Sequence, residues 1–272
     1  MNYKLIALDL DGTLKTSQNT ISEKTRKALI QCQELGIKVV LASGRPTPGL
    51  RHEALALELE KYEGYLLSFN GAKVNDYKTG EIIYEKALTV NQAKEMIQRA
   101  KEYRLAAMSY LDQDLISDQS DNSYVLGEAK LNDMGLRQID DLTAFIDFPV
   151  NKVLLAADPD YVASILDEFK APYDGQLSIY RSAPFYIEIM AQNIDKAASL
   201  DCLVKHLGIK QEEVIAFGDG YNDLSMVEYA GVGVAMGNAV DGVKEKADKV
   251  TLSNDEDGIA YMLSQLIEGI EF

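Results

Sequence analysis

Cysteine is scarce in this chain, and so is positive charge. Only two cysteines occur among 272 residues, Cys32 and Cys202, far apart and outside any Cys-x-x-Cys or Cys/His pattern. Neither a disulfide framework nor a thiolate metal site is expected, and both read as core or near-core thiols of a reducing compartment. The 27 Lys and Arg against 43 Asp and Glu leave a net charge of -16. With no dense basic run, extended contact with nucleic acid or anionic lipid is excluded. A phosphate-bearing ligand would meet an unfavourable far field, so its site must be made attractive locally by a metal, a few bases and helix N-termini. No apolar run approaches transmembrane length, and Asp9 and Asp11 interrupt the only apolar stretch near the start. No membrane association is expected, and the expected location is cytoplasmic. Internal repeats and low-complexity tracts are also absent. His52 and His206 have no partners at ligand spacing and read as surface or packing residues.

What is present is an alternation of strands and helices. Leu5-Ile6-Ala7-Leu8 is short and apolar enough for a buried strand, and Asp9-Leu10-Asp11-Gly12-Thr13 follows at its end. Ser22 is placed as an N-cap before an amphipathic face of Thr25, Ala28, Leu29, Cys32 and Leu35, which Gly36 ends. The run 37–42 is a second buried strand, closed by Ser43-Gly44-Arg45-Pro46, with a helix expected to begin near Pro46. A right-handed crossover makes these strands parallel neighbours, which places Ser43 beside the Asp9 loop. A third strand, 65–69, carries Asn70-Gly71-Ala72 at its tip, and 73–75 with 82–84 reads as a hairpin around 76–80.

From about 85 to 189 the rhythm changes. Helices are expected over 90–103 and 159–169, strands over 106–111, 151–156, 177–180 and 186–190, and loops around a short edge strand over 112–123. That pattern suits an α+β unit with an antiparallel sheet. The βα alternation then resumes, with Lys196 at the head of a helix (197–207), a strand over 214–217 and Gly218-Asp219-Gly220-Tyr221-Asn222-Asp223 at its tip. A strand (232–235), a helix (240–247), a short strand (249–252) and a terminal helix from Gly258 complete the chain. The expected fold is α/β: a doubly wound parallel-sheet core from 1–84 and 190–272, with an inserted α+β domain over 85–189.

Two acids at a strand end stand where ligands bind in parallel sheets, although Asp and Gly there also suit an ordinary turn. Lys196 alone reads equally as a solvated helix residue and Ser43 as a cap. The glycine run from Gly231 to Gly237 departs from Gly-x-Gly-x-x-Gly and reads as close packing of a short strand. The acids from Asp255 to Asp257 read as a solvated loop, and Lys15 as a solvated residue or a contact to substrate or cap.

Taken together, Asp9-Leu10-Asp11-Gly12-Thr13, Ser43, Lys196 and the Gly218 to Asp223 run resemble the four ordered motifs of the haloacid-dehalogenase-like (HAD) phosphatases. The insertion between the second and third motifs resembles the Cof-type subgroup, as do Asn70-Gly71-Ala72, Glu188 and Gly231 to Ala239. Ala197 stands where that pattern commonly has Gly, and Lys15 where it is usually apolar. The resemblance implies a Rossmann-like core and a Mg²⁺-dependent phosphomonoesterase working through an aspartyl-phosphate. It assigns Asp9 as nucleophile and Asp11 as acid/base. Mg²⁺ would be held by Asp9, the Asp11 carbonyl and Asp219. The phosphoryl group would be bound by main-chain N–H groups near Leu10 and Gly44, by Ser43, Lys196 and Asn222, with Asp223 orienting Lys196 or a metal-bound water.

Arg45, Asn70, Gly71 and Glu188 are candidate substrate contacts, with Arg45 equally a complement to the acidic surface. A small phosphorylated metabolite is the expected partner, sugar phosphates first, with flavin mononucleotide or pyridoxal phosphate as alternatives; monomer and homodimer both remain open. A sugar phosphomutase of similar cap type is the nearest enzymatic alternative, and a phosphoryl-accepting receiver or a cap-bearing binding protein that has lost catalysis the non-enzymatic ones.

Overall fold

The computed structural model describes residues 3–271. In chain order it begins with β1 (Leu5–Leu8), α1 (Glu23–Glu34), β2 (Lys38–Ala42), α2 (Arg51–Ala56), α3 (Leu59–Tyr62), β3 (Tyr65–Ser68), β4 (Lys73–Asp76) and β5 (Ile82–Glu85). There follow α4 (Val90–Glu102), β6 (Ala106–Leu111), β7 (Asp114–Ser117), α5 (Ser123–Leu131), β8 (Gly135–Gln138), α6 (Leu142–Phe145), β9 (Val153–Ala156), α7 (Pro159–Lys170), β10 (Leu177–Ala183) and β11 (Tyr186–Ala191). The last stretch is α8 (Lys196–His206), β12 (Val214–Gly218), α9 (Leu224–Tyr229), β13 (Val232–Ala235), α10 (Asp241–Lys246), β14 (Lys249–Val250) and α11 (Gly258–Leu266).

Two compact units emerge, one from residues 1–84 with 195–272 and one from 85–194. The first is built on a sheet of order β14-β13-β12-β1-β2-β3-β4-β5. Its strands from β14 to β3 run parallel, while β4 turns back antiparallel on β3. All four residues of β1 are buried, as expected of a strand covered on both faces. Ile6 and Leu8 join Ala28, Leu29 and Cys32 of α1 and Ile259 and Leu263 of α11. Leu5 and Ala7 point the other way, to Leu200, Leu203 and Val204 of α8. Truncating such a residue, for example Leu8→Ala, would cost about 2–5 kcal/mol. The chain runs outward from β1 through β2 to β3, then returns to the other side of β1 as β12 and continues to β13. The order therefore reverses between β1 and β12, which makes their C-terminal ends the natural ligand crevice.

The second unit carries a sheet of order β10-β11-β9-β6-β7-β8. Its pairings are antiparallel except β7 with β8, which are parallel and joined through α5. α4 begins with a Thr89–Gln92 capping box and packs with α7 on one face through Met96, Ile97, Val162 and Phe169. On the other face lie Val125 and Ala129 of α5.

Several elements differ from the sequence expectation. The segment after Pro46 starts as a 3-10 turn (Thr47–Leu50) and becomes helical only at Arg51. The final strand spans two residues, Lys249–Val250. α3 and α6 have four residues each, too short to show a period. α5 contains Gly127 and exposes Leu126 and Leu131, so its apolar pattern does not mark a single face. As expected, the buried strand β13 (Val232–Ala235) lies within the Gly231 to Gly237 run. Among the described residues no helix is long and apolar enough to cross a membrane.

Both cysteines are free, Cys32 buried and Cys202 partly exposed. Burial pushes the Cys32 thiol up to about 12. Its folded pKa lies above the unfolded one, so the stability linked to this burial is present below the ordinary thiol pKa of about 8.5 and is lost as pH rises past it. In a thiol-reagent titration at mildly alkaline pH, Cys202 should react in the native protein and Cys32 only after denaturation. Rapid native modification of Cys32 would contradict the assigned burial.

Candidate active site

Asp9 leaves the end of β1 with its N–H donating to the Phe217 carbonyl at 3.1 Å. The chain then makes one tight turn, in which Leu14 N–H reaches the Asp9 carbonyl (3.2 Å) and Lys15 N–H the Leu10 carbonyl (2.9 Å). Gly12 sits in this turn at φ +89°, and a Cβ there would collide with the Asp219 carboxylate. Only glycine lets the two loops approach so closely. The Thr13 hydroxyl donates to Asp219 Oδ1 at 2.8 Å, and Asn238 Nδ2 donates to the Gly12 carbonyl at 2.8 Å. The loops after β1, β12 and β13 are thus tied together.

Lys196 opens α8, whose N-cap Asp195 accepts from Ala198 N–H at 2.9 Å. Its side chain is fully buried. Nζ donates to Asp9 Oδ1 (2.7 Å), Asp223 Oδ1 (2.6 Å) and the Ala42 carbonyl (2.9 Å). These three bonds use all the donors of an ammonium. Burial disfavours the charge on Lys196, yet Asp9 and Asp223 outweigh it and hold its pKa above the ordinary lysine value. One ammonium shared by two acids does not fully offset their burial. Asp9 is therefore pushed well above the usual carboxylate range, chiefly by desolvation, with Lys196 opposing and Asp223 and Asp219 adding to the rise. Asp219 is raised too, mainly by burial, against the pull of Thr13. Asp223 Oδ2 accepts from the N–H groups of Asp219 (3.1 Å) and Gly220 (2.9 Å), so this carboxylate shapes its own loop.

The loop after β2 brings the remaining core candidates. Ser43 Oγ accepts from Arg45 N–H at 3.2 Å, while the Ser43 and Arg45 carbonyls accept from Asn70 and Phe69 N–H at 2.9 Å each. Phe69 and Asn70 both hold left-handed backbone angles, φ 52° and 55°. Such angles in non-glycine residues cluster at functional loops. A Cβ on Gly44 would stand 3.1 Å from the Asn70 amide, and Asn222 Nδ2 lies 3.5 Å from Asn70 Oδ1. Ser43, Gly44, Asn70 and Asn222 therefore converge. Gly71 (φ +100°) faces α8 instead: a Cβ there would sit 2.5 Å from Ser199 Oγ and 2.7 Å from the Asp195 carbonyl. Its bareness serves that helix–loop approach.

Glu188 belongs to the second unit, on β11. It is buried there with Lys152 Nζ at 3.4 Å and Tyr180 Oη at 2.5 Å. Lys15 is neither solvated nor poised for a ligand. Its side chain is 5% exposed and pairs with Glu53 of α2 at 3.0 Å, which corrects the expectation for it. Its fate depends on a partner 38 positions away that no local pattern marks. Thr13 and Asn238 also escaped assignment, although Thr13 lies inside the first motif and Asn238 inside the Gly231 to Ala239 run. His52 and His206 are exposed.

Asp9, Asp219 and Asp223 each offer a carboxylate oxygen, all within 4.8 Å of one another. An all-oxygen set suits a hard cation such as Mg²⁺. Because Lys196 and two N–H groups already engage Asp223, Asp9 and Asp219 are the better-placed ligands. Removing the ammonium leaves two buried acids facing each other. Lys196→Ala should lower unfolding stability by about 3–5 kcal/mol, measurable by urea denaturation. A loss below about 1 kcal/mol, the scale of an exposed pair, would contradict the burial described.

Comparison with known proteins agrees with this geometry. The family model described as haloacid dehalogenase-like hydrolase matches residues 6–263. A Bacillus subtilis relative, 5-amino-6-(5-phospho-D-ribitylamino)uracil phosphatase YitU, is 31% identical over 266 residues, covering 96% of this chain and 96% of that protein. The crystal structure of a haloacid dehalogenase-like hydrolase from Bacteroides thetaiotaomicron superposes with a TM-score of 0.93 at 42% identity, over 97% of this chain and 100% of that one. The HAD subclass IIB sugar phosphatase BT4131 superposes at 0.76 and 26% identity, over 97% and 98%. With family match, relatives and fold in agreement, the chain belongs to the haloacid dehalogenase-like hydrolases of the Cof type and is a phosphatase.

Proposed function

We propose that this phosphatase hydrolyses phosphomonoesters of small sugar-like metabolites with Mg²⁺, through an aspartyl-phosphate on Asp9. The observation that carries this reading is a buried carboxylate bonded to a buried ammonium at the point where strand order reverses. Asp9 attacks phosphorus; its O–P bond forms as the bond from phosphorus to the leaving oxygen breaks, and Asp11 gives that oxygen a proton. In the second step Asp11 takes a proton from water, the water oxygen bonds to phosphorus, and the Asp9–phosphorus bond breaks to release inorganic phosphate. Lys196 holds Asp9 in place, and Ser43, Gly44 and Asn222 offer donors to phosphoryl oxygens.

The charge count supports a cation. Among the described residues, Asp9, Asp11, Asp219 and Asp223 are ion-paired with Lys196 and Arg45 alone, so the acids outnumber the bases before any phosphate arrives. Asp9, Asp219 and the Asp11 carbonyl are the ligands we assign, and Mg²⁺ there would neutralise the approach of two anions.

The substrate class rests on likeness: one relative is named for a phosphorylated ribityl chain and one structure is a sugar phosphatase. Choice among leaving groups is assigned to the inserted unit, by family likeness. Hydrolysis is favoured over mutase chemistry because that unit is poor in arginine, with Arg99, Arg104, Arg137 and Arg181 not clustered, and three of them are engaged within it. Arg99 lies 5.0 to 5.5 Å from the rings of Tyr103, Phe169 and Tyr173. Arg137 stacks 5.1 Å from Phe145, and Arg181 Nε donates to the Pro184 carbonyl at 3.1 Å.

The test is phosphate release from a panel of sugar phosphates, sugar-alcohol phosphates, flavin mononucleotide and pyridoxal phosphate. Release should require Mg²⁺, stop on chelation and vanish in Asp9→Asn. Asp11→Asn should slow alkyl phosphate turnover by about 10²–10⁴-fold while still binding Mg²⁺. No release from any member, or full activity of Asp9→Asn, would overturn the reading.

A further inference from the structure

We propose that Arg45 is the positioning residue for Asp11: its guanidinium aims the carboxylate that serves the leaving oxygen, and its loss is felt through Asp11 rather than through substrate binding. The inference rests on the acid/base reading of Asp11 given above.

Arg45 meets Asp11 side-on, with Nε donating to Oδ2 at 2.8 Å and an Nη donating to Oδ1 at 2.7 Å. Two parallel bonds from a planar fork fix both the position and the plane of a carboxylate, which a lysine cannot do. The pair is asymmetric. Asp11 is 51% exposed, whereas the Arg45 side chain is 15% exposed. A half-exposed aspartate in a tight turn otherwise samples several rotamers, so its direction is imposed from outside.

Arg45 is equipped to impose it because its own main chain is pinned on both sides. Its N–H donates to Ser43 Oγ, and its carbonyl accepts from Phe69 N–H. That second bond comes from the loop after β3, where the left-handed Phe69–Asn70 pair begins, so the residue that holds the acid is tied to a neighbouring strand end. The fork occupies one lone pair on each Asp11 oxygen, which leaves the second position of an oxygen to carry the proton that passes to the leaving oxygen and later to accept one from water. The sequence offered two roles for Arg45, a substrate contact or a complement to the acidic surface; this geometry points to a third.

The test uses full-length Arg45→Ala, Arg45→Lys, Asp11→Asn and the double variant Arg45→Ala/Asp11→Asn, on two esters. An alkyl phosphate such as glucose 6-phosphate needs its leaving oxygen protonated; p-nitrophenyl phosphate, whose leaving phenolate is stable, does not. Arg45→Ala should lower kcat on the alkyl ester by about 10²-fold, the scale of a misaimed catalytic group; on the aryl ester it should leave the first-turnover burst of p-nitrophenol near its wild-type rate and slow only the turnovers that follow, because Asp11 also takes the proton from water in the second step. Asp11→Asn should show the same pattern, and the double variant should be no slower than Asp11→Asn alone. Arg45→Lys, which keeps the charge but not the fork, should share the selective loss, so a fold defect in the alanine variant does not decide the matter. A p-nitrophenol burst slowed as much as alkyl ester turnover, a rise in KM without a fall in kcat, or losses that multiply in the double variant would overturn the proposal while leaving the phosphatase reading intact. Wild-type protein inactive on both esters and on the wider panel would instead overturn that reading, and this inference with it.

Discussion

The site depends on one buried ammonium. Lys196 Nζ is bonded at once to the acid at the end of β1, to the carbonyl at the end of β2 and to an acid in the loop after β12. Three strand ends and the first turn of α8 therefore share a single point of attachment. Such a group is expensive to bury, and its three acceptors are what make the burial tolerable. The same bonds leave Lys196 no rotamer freedom, so Asp9 is held on a rigid mount and not on a mobile surface chain.

The electrostatics follow from the same crowding. One ammonium between two acids leaves the centre short of positive charge, and Asp9 and Asp219 both respond by resisting ionisation. A strongly acidic protein is ill suited to hold a phosphate unless something local reverses the sign. The acids drawn together here are the means of doing so, because oxygens gathered this closely favour a hard cation. Excess negative charge and phosphate chemistry are thereby compatible: under the proposed reading, the first would recruit the counter-ion that the second requires.

Much of this was legible in the sequence because it lay in contiguous motifs. Asp9, Ser43, Lys196 and Asp219 all stand at element ends, where strand runs and helix starts are read from period and capping, and the crossover rule then brings the ends together. What was not legible is what depends on pairing across the chain. Lys15 read as solvated or as a contact to substrate or cap because its partner Glu53 lies in α2, and no local signal marks a buried lysine. Arg45 could be located but not assigned, since the fork on Asp11 is a matter of side-chain geometry. Thr13 and Asn238 sat within motifs already noticed, yet their hydrogen bonds to Asp219 and Gly12 run between loops. The shortest helices, α3 and α6, were missed because fewer than two turns carry no readable period.

The discontinuity of the first unit bears on how the chain is made. Lys196 and Asp9 are 187 residues apart, and β1 finds its second neighbour, β12, only after the whole inserted unit has been synthesised. During translation the insert, contiguous and self-contained, is complete while the sheet that bears the chemistry still lacks its C-terminal half. Until then β1 presents an unpaired apolar edge to its surroundings. The parallel sheet thus has a high contact order and a late closing step. The active site is consequently assembled only once the C-terminal segment has emerged, and until then the apolar edge of β1 is the part of the sheet open to wrong pairing.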